Sequence, residues 1–590
     1  MTIRGRRRRG GVARRSAGRA GLGVVALAVL ACAAPAAHAS STQESLFQDD
    51  NQLIYSNPPD VARTLDTLAA LGVERLRVSV FWRSVAPNAT SATRPSFRAD
   101  DPNAYPAANW ARYDTVVREA TARGIGVDFD VTSPAPSWAL GPTRDRDPDH
   151  NWSPSAREYA LFLAALGTRY NGSFTPASTA PSAPASPPQP TTSSGGLVSG
   201  LLPPGGGASS SPAAAVPGDA AATGTGPLPR VSFWSLWNEP NQPGWLLPQW
   251  RRDRRAGLVE RSPQVYRALM DGGYFGLVIS GHAHDTITIG ETAPKGSKGR
   301  GTAAPLPPVH FMRRLYCLDD RRRFLRGAVA AAEGCPTSNQ AASFPRLHPA
   351  LFAATGFADH PYTLLTAPHI VSLDPDFAAL GELGRVTSLL DRAFTVYHRR
   401  RAGGMPLYLN EYGYQTNPPD PYSGLPQATQ AAYLNEADYI ASRNSRVRSL
   451  SQFLLRDDKP LAGAAPGTPA YWSTFQSGLE LADGSPKPSL AAYRLPIFLA
   501  HPIVRVGHSL VVWGQLRLAP RNTRQVAQLQ FSPSGSKRWQ PLATRVTSNP
   551  KGFLTMRIGL PGTGLMRLAW TDQAGVTFYS RAAPAFLVRR

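Results

Sequence analysis

The chain has 590 residues, 42% of them hydrophobic, 17% charged and 9% aromatic, with 52 Gly and 56 Pro. This composition excludes a wholly disordered chain, a coiled coil and a collagen-like fibre, and the length suits two to four domains. The net charge of +23 is uneven: +8 falls in residues 1–39 and +12 in residues 501–590, leaving the centre near neutral, so the charge does not by itself point to nucleic acid.

Residues 1–39 are read as an export signal. Arg4, Arg6 to Arg9, Arg14, Arg15 and Arg19 form a basic start, Leu22 to Ala31 is apolar, and Ala37-His38-Ala39 offers small residues for cleavage before Ser40. A twin-arginine variant, or acylation at Cys32 to give a cell-surface lipoprotein, stays open. The apolar run is short for a membrane span, and no later segment is long and apolar enough for one, so no transmembrane segment is expected. With Cys32 removed, Cys317 and Cys335 are left. In an oxidising compartment this pair suggests one disulfide, worth about 3 kcal/mol, against two free thiols.

From about residue 45 to 496 strand-like and helix-like segments alternate. Ser45-Leu46-Phe47 opens the series, and Val61, Leu65 and Leu68 predict a helix that Gly72 ends. A strand is predicted over Leu76 to Trp82. Tyr113, Val116, Val117 and Ala120 mark a helix closed by Gly124, before a strand over Ile125 to Val131. Ser153-Pro154 starts a helix carrying Tyr159, Phe162, Leu163 and Leu166. Later strands are expected over Val231 to Trp237, Thr286 to Ile289, Gly356 to Tyr362, Leu407 to Asn410 and Leu450 to Leu455. Eight strands alternating with helices predict an α/β fold, a (β/α)8 TIM barrel over residues 40–500. No Gly-rich dinucleotide or phosphate fingerprint follows any strand, which counts against an open sheet.

Residues 174–228 are almost wholly Pro, Ala, Ser, Gly and Thr. They are expected to form a disordered loop at the N-terminal face, away from catalytic groups, whose deletion leaves activity intact. From residue 501 the period becomes 2, as in Ala527, Leu529 and Phe531 or Leu554, Met556, Ile558 and Leu560. A C-terminal antiparallel β-sandwich domain is expected over 501–590. Its charge suits either an anionic polysaccharide or plain solubility.

Two strand ends carry chemistry. Phe233-Trp234-Ser235-Leu236-Trp237-Asn238-Glu239-Pro240-Asn241 and Leu407-Tyr408-Leu409-Asn410-Glu411-Tyr412-Gly413 both place a carboxylate directly after an apolar run. A charge there is costly unless used or paired, and at the C-terminal end of a barrel strand the common use is catalysis. Two facing carboxylates suit glycosidic-bond hydrolysis, one protonated to donate and one ionised to attack.

Trp237-Asn238-Glu239-Pro240-Asn241 resembles the acid/base motif of the clan A glycoside hydrolases, the (β/α)8 group that includes endocellulases and β-xylosidases. Glu411 matches that clan's strand-seven nucleophile. The resemblance covers about residues 45–496. It implies a retaining enzyme without cofactor or metal, with Glu239 the general acid/base, Glu411 the nucleophile and Asn238 a ligand of the sugar 2-hydroxyl. Arg77 resembles the strand-two Arg that keeps the nucleophile ionised, or else pairs elsewhere. His360-Pro361-Tyr362 resembles the strand-six His-x-Tyr, with Tyr362 donating to the nucleophile, or is packed in a loop. Trp138 and Trp472 are candidate sugar-stacking faces, with core packing the alternative. Glu291 also ends a strand; spacing alone does not exclude it as catalytic, and it is read as a substrate ligand or a supporting group. The chain departs from the clan in lacking a His after strand three and in its displaced strand-eight aromatic.

The expected function is therefore a secreted retaining glycoside hydrolase acting on a carbohydrate substrate. A non-catalytic carbohydrate- or wall-binding barrel and a transglycosylase are the alternatives; a nucleic-acid partner is not expected.

Overall fold

The computed structural model describes residues 40–143, 147–177 and 226–589. The export-signal reading, Cys32 included, and residues 178–225 of the low-complexity segment lie outside the described residues.

Eight parallel strands close a barrel: β1 (Glu44–Gln48), β2 (Arg75–Phe81), β3 (Gly126–Thr132), β4 (Phe233–Leu236), β5 (Thr286–Thr292), β6 (Gly356–Asp359), β7 (Leu407–Leu409) and β8 (Val447–Phe453). Each strand pairs with its successor, and β8 returns to β1 through Glu44–Ser449 to Gln48–Phe453. Every expected strand is present, with ends displaced by at most three residues. Helix Pro58–Ala70 shows how the local sequence works. Asn57 accepts the Asp60 N–H as N-cap, prolines occupy the first turn, and Val61, Leu65 and Leu68 are buried. Each of those side chains contributes about 1.5–3 kcal/mol by burial. Gly72, at φ +77°, ends the turn, and a Cβ there would meet the Arg517 carbonyl at 2.9 Å. The helix predicted from Ser153 starts later, at Ala156, because Ser155 rather than Ser153 accepts the Glu158 N–H.

The low-complexity segment was bounded too widely. Leu228 is fully buried, and its N–H donates to the Phe174 carbonyl at 2.9 Å, while the Val231 N–H donates to Tyr170. The two flanks therefore meet where helix Ala156–Arg169 ends and β4 begins, on the N-terminal face.

The C-terminal region forms two sheets. One orders Ile497–Ala500, Ser509–Gln515 and Phe553–Gly559; the other orders Ile503–Arg505, Ala583–Val588, Gly564–Thr571, Gln525–Pro533 and Gln540–Thr547. All their pairings are antiparallel except Ile503–Arg505 with Ala583–Val588, so one edge departs from the expected pattern. Alternate residues such as Ala527, Leu529, Phe531, Leu554 and Met556 form its core. Part of its positive charge is spent against the barrel. Arg517 pairs with buried Asp438 at 3.1 Å and stacks 4.1 Å over Tyr493, and Arg521 and Lys551 both pair with Glu74. Cys317 and Cys335 are bonded as a disulfide. No helix among the described residues is long and apolar enough to cross a membrane.

Candidate active site

The barrel interior is layered. At its floor Phe233, Ala358 and Tyr408 make a small apolar cluster. Above it the inward residues are polar: Ser235 hydrogen-bonds Asp128 at 3.2 Å and Thr288 at 2.9 Å, and Asn410 donates to Ser235 at 3.1 Å. Period 2 then lifts Arg77, two residues above Arg75 on β2, to the level of the strand ends.

Arg77 is fully buried and is the hub of the site. Its Nη1 donates to Glu411 Oε1 at 2.7 Å and to Gln48 Oε1 at 2.6 Å; its Nη2 donates to Asn238 Oδ1 at 2.7 Å and Glu291 Oε2 at 3.0 Å, with Asp130 at 3.1 Å. Burial disfavours its charge, but Asp130, Glu291 and Glu411 outweigh burial and hold its pKa well above the usual value. The other oxygen of Glu411 accepts from the Tyr362 hydroxyl at 3.2 Å. Burial keeps that phenol protonated, and so a donor.

His360 bridges the carboxylates. Nδ1 lies 3.0 Å from Glu239 Oε1 and 3.5 Å from Glu411 Oε2, and Nε2 lies 2.7 Å from Glu291 Oε2. Burial pushes its pKa down, but Glu411, Glu239 and Glu291 together raise it to about 10. The same charges separate the carboxyls. Burial raises Glu239 above the ordinary carboxylate range, with His360 opposing and Glu411 adding to the rise. Burial also acts against ionisation of Glu291, yet Arg77 and His360 prevail and hold it at about 2. Asp128, lifted by burial to about 8, is carried neutral.

One oxygen of Glu239, one of Glu411 and a ring nitrogen of His360 all lie within 4.8 Å of one another. Such a trio can hold a metal ion in principle. Here both imidazole nitrogens face carboxylates, Nδ1 toward Glu239 and Nε2 toward Glu291.

The strand-four motif is held in a strained turn. Trp237 and Glu239 have positive φ, +72° and +35°, a conformation that costs on the order of 1–3 kcal/mol per residue. It is fixed from three sides. The Glu239 N–H donates to the Glu291 carbonyl at 2.9 Å, Asn238 N–H to Thr132 Oγ1 at 3.0 Å, and the Asn241 side chain exchanges hydrogen bonds with the backbone of Ala293 and Leu306. Because Asn238 Oδ1 is taken by Arg77, its NH2 group is left to donate.

Of the residues singled out from sequence, Arg77, Asn238, Glu239, Glu291, His360, Tyr362 and Glu411 converge in this cluster. Trp138 does not. It is 9% exposed, edge-on to Trp82 and Phe97, and its indole N–H donates to the Pro87 carbonyl, so it is spent on packing. Trp472 lies in the loop after β8, edge-on to Tyr471, and takes part in none of the cluster's hydrogen bonds. The last residue of β8, Phe453, stands nearer the carboxylates. Its ring is edge-on to Tyr362 at 6.5 Å, with Phe475 behind it at 5.3 Å. Phe453, Gln48, Asn410, Asp128 and Asp130 were not assigned a role from sequence. For the two Asp the signal was present: Asp128-Phe129-Asp130 alternates inside an expected strand.

No protein-family model and no curated protein matches the chain. Solved structures similar in chain trace include a glucosidase from Croceicoccus marinus, 12% identical, covering 92% of this chain and 97% of that one at a TM-score of 0.43. An endo-beta-1,4-mannanase from Thermotoga petrophila is 11% identical over 93% and 99%, at 0.36. A family 1 b-glucosidase from Thermotoga maritima is 11% identical over 73% and 84%, at 0.38.

Proposed function

We propose that this protein is a retaining glycoside hydrolase that cleaves O-glycosidic bonds of an oligo- or polysaccharide. The observation that carries the reading is the approach of the two strand-end carboxylates, whose oxygens come within 4.8 Å with a cation on either side. An oxygen-to-oxygen approach of that order supports the retaining geometry, with carboxyls about 5–5.5 Å apart, over an inverting pair about 6.5–9.5 Å apart.

In the first step the Glu411 carboxylate attacks the anomeric carbon, forming an ester bond as the carbon–oxygen bond to the leaving group breaks. Glu239 gives its proton to that oxygen. In the second step Glu239 takes a proton from water, whose oxygen attacks the same carbon; the sugar leaves with the new hydroxyl and Glu411 is regenerated. Arg77 and Tyr362 keep Glu411 aligned, and Asn238 offers its NH2 group to the sugar beside the reacting carbon. Phe453, at the mouth beside Tyr362, is the aromatic face best placed for the ring. The basic and apolar leader in the sequence, together with the Cys317–Cys335 bond, supports export of the protein.

The test is turnover of an aryl-glycoside and polysaccharide panel by the Glu411→Gln and Glu239→Gln variants. Both are expected to lose at least a hundredfold in kcat while folded, and azide is expected to restore turnover of an activated substrate to the Glu239 variant. Binding without turnover in the unmodified protein would favour a carbohydrate-binding barrel, and longer products at high substrate would favour a transglycosylase.

A further inference from the structure

Strand β5 reads Thr286-Ile287-Thr288-Ile289-Gly290-Glu291-Thr292. Thr288 faces inward, bonded to Ser235, so strict alternation would point Gly290 inward and Glu291 out toward the helices. The register against β6 breaks this rule. Ile289 pairs with Phe357 and Thr292 with Asp359, so β5 spends one more residue than its partner. This extra residue is a bulge, a device that re-aims a side chain. Gly290 lies at φ +109°, and a Cβ there would sit 2.6 Å from the Ala358 carbonyl and 2.7 Å from the Phe357 ring, so only glycine fits. Glu291 follows at φ +48° and is turned into the barrel.

Once inside, Glu291 is held on both oxygens. Oε1 accepts from Asn410 Nδ2 at 2.7 Å, Oε2 accepts from Arg77 Nη2 at 3.0 Å and from His360 Nε2 at 2.7 Å, and its backbone carbonyl accepts the Glu239 N–H. It is 0% exposed, against 4% for Glu239 and 9% for Glu411. A sugar hydroxyl would find no open path to it.

We propose that Glu291 is a positioning residue: the anion that fixes His360 as a cation between Glu239 and Glu411, and so decides which of those two carboxyls carries the proton. This rests on the glycosidase reading for its purpose but not for its geometry.

The charge arrangement gives the reason. The groups facing His360 are Glu239 from β4, Glu291 from β5, Glu411 from β7, Tyr362 beyond β6 and, on its own strand, Asp359, whose carboxyl is tied to Thr292; Arg77 reaches the same carboxylates from β2. With His360 charged, and Asp128 and Asp130 carried neutral by burial, Arg77 and His360 balance Glu291 and Glu411, and Glu239 keeps its proton. After the first chemical step Glu411 is an ester and Glu239 has lost its proton, so the same two cations balance Glu291 and Glu239. The buried cluster thus carries the same net charge in both states, and no uncompensated charge arises among these groups. Without Glu291 the ring loses its nearest anion, the one at Nε2, and its proton is held only from the Nδ1 side by Glu239 and Glu411, so it leaves at lower pH and Glu239 loses the cation beside it.

The experiment is 15N NMR of the His360 ring in the full chain across pH 5–8.5, assigned by its loss in His360→Asn, for the unmodified protein, Glu291→Gln and Glu291→Asp. The expected result is a doubly protonated ring throughout in the unmodified protein and in the Asp variant, and titration inside the range in the Gln variant. A neutral ring at pH 7 in the unmodified protein overturns the proposal even if no variant folds, as does an unaltered titration in Glu291→Gln. Kinetics supply the second readout. Glu291→Gln is expected to lose at least tenfold in kcat with KM within twofold, whereas a rise in KM alone would make Glu291 a substrate ligand and overturn the assignment. The ring's protonation is measured without substrate, so failure of the glycosidase reading leaves that arm intact.

Discussion

Arg77 and Glu411 meet at 2.7 Å across the barrel, the guanidinium from β2 and the carboxylate from the end of β7, 334 residues apart in sequence. The contact belongs to a fork, because the other terminal nitrogen of Arg77 holds Asn238 and Glu291. One rigid planar cation therefore sets the relative positions of groups from three other strands, which a flexible ammonium does not do.

Arg77→Lys is accordingly expected to keep the charge and lose the alignment. A displacement of about 1 Å is enough to cost about a hundredfold in kcat, with KM changed far less. Arg77→Met removes the charge as well and leaves buried carboxylates unpaired, so a loss of about 3–5 kcal/mol in urea denaturation is expected. Full turnover by the Lys variant would show that the fork is dispensable.

The pH dependence follows from Glu239. In the proposed mechanism it works protonated, as general acid, and its pKa in the folded protein is raised, chiefly by burial. Activity is therefore retained above the pH at which an ordinary glutamic acid has ionised, and falls as pH climbs through the raised value. With a dinitrophenyl leaving group, which needs no proton, that falling limb of kcat/KM is expected to disappear. A limb that survives with the activated substrate would assign it to another group.

The barrel was legible because its strands are short apolar runs bounded by helix caps and glycines, and Glu239 and Glu411 stood out as charges placed where such runs stop. Less could be read of what lies behind them. Glu291 looked equivalent to the other two, since strand alternation gives no sign of the bulge at Gly290 that turns it inward. Asp128 and Asp130 passed as ordinary strand residues because the groups that receive them, Ser235 and Asn410 for Asp128 and Arg77 for Asp130, come from other strands. Trp138 is taken up in packing because the segment after β3 folds back over Trp82, and Phe453 was overlooked because the expected strand ran past it to Leu455. In each case the deciding fact is a contact between segments far apart in the chain.

The C-terminal sheets offer a last test of how buried charge is spent. Arg517 and Asp438 are both nearly inaccessible, at 5% and 8% side-chain exposure, and burial raises Asp438 despite its partner. Such a pair adds little net stability over an apolar one, yet removing one member leaves the other unpaired. Asp438→Ala is therefore expected to cost about 3 kcal/mol or more in thermal or urea unfolding, whereas the double variant Asp438→Leu/Arg517→Met is expected to recover most of that loss. Arg521, 60% exposed in its contact with Glu74, is expected to cost less than about 1 kcal/mol when changed to Ala. If the single Asp438 variant were as stable as the unmodified protein, the ion pair would not be what joins the sheets to the barrel, and the ring contacts of Tyr439 with Phe498 and Trp513 would have to hold the interface.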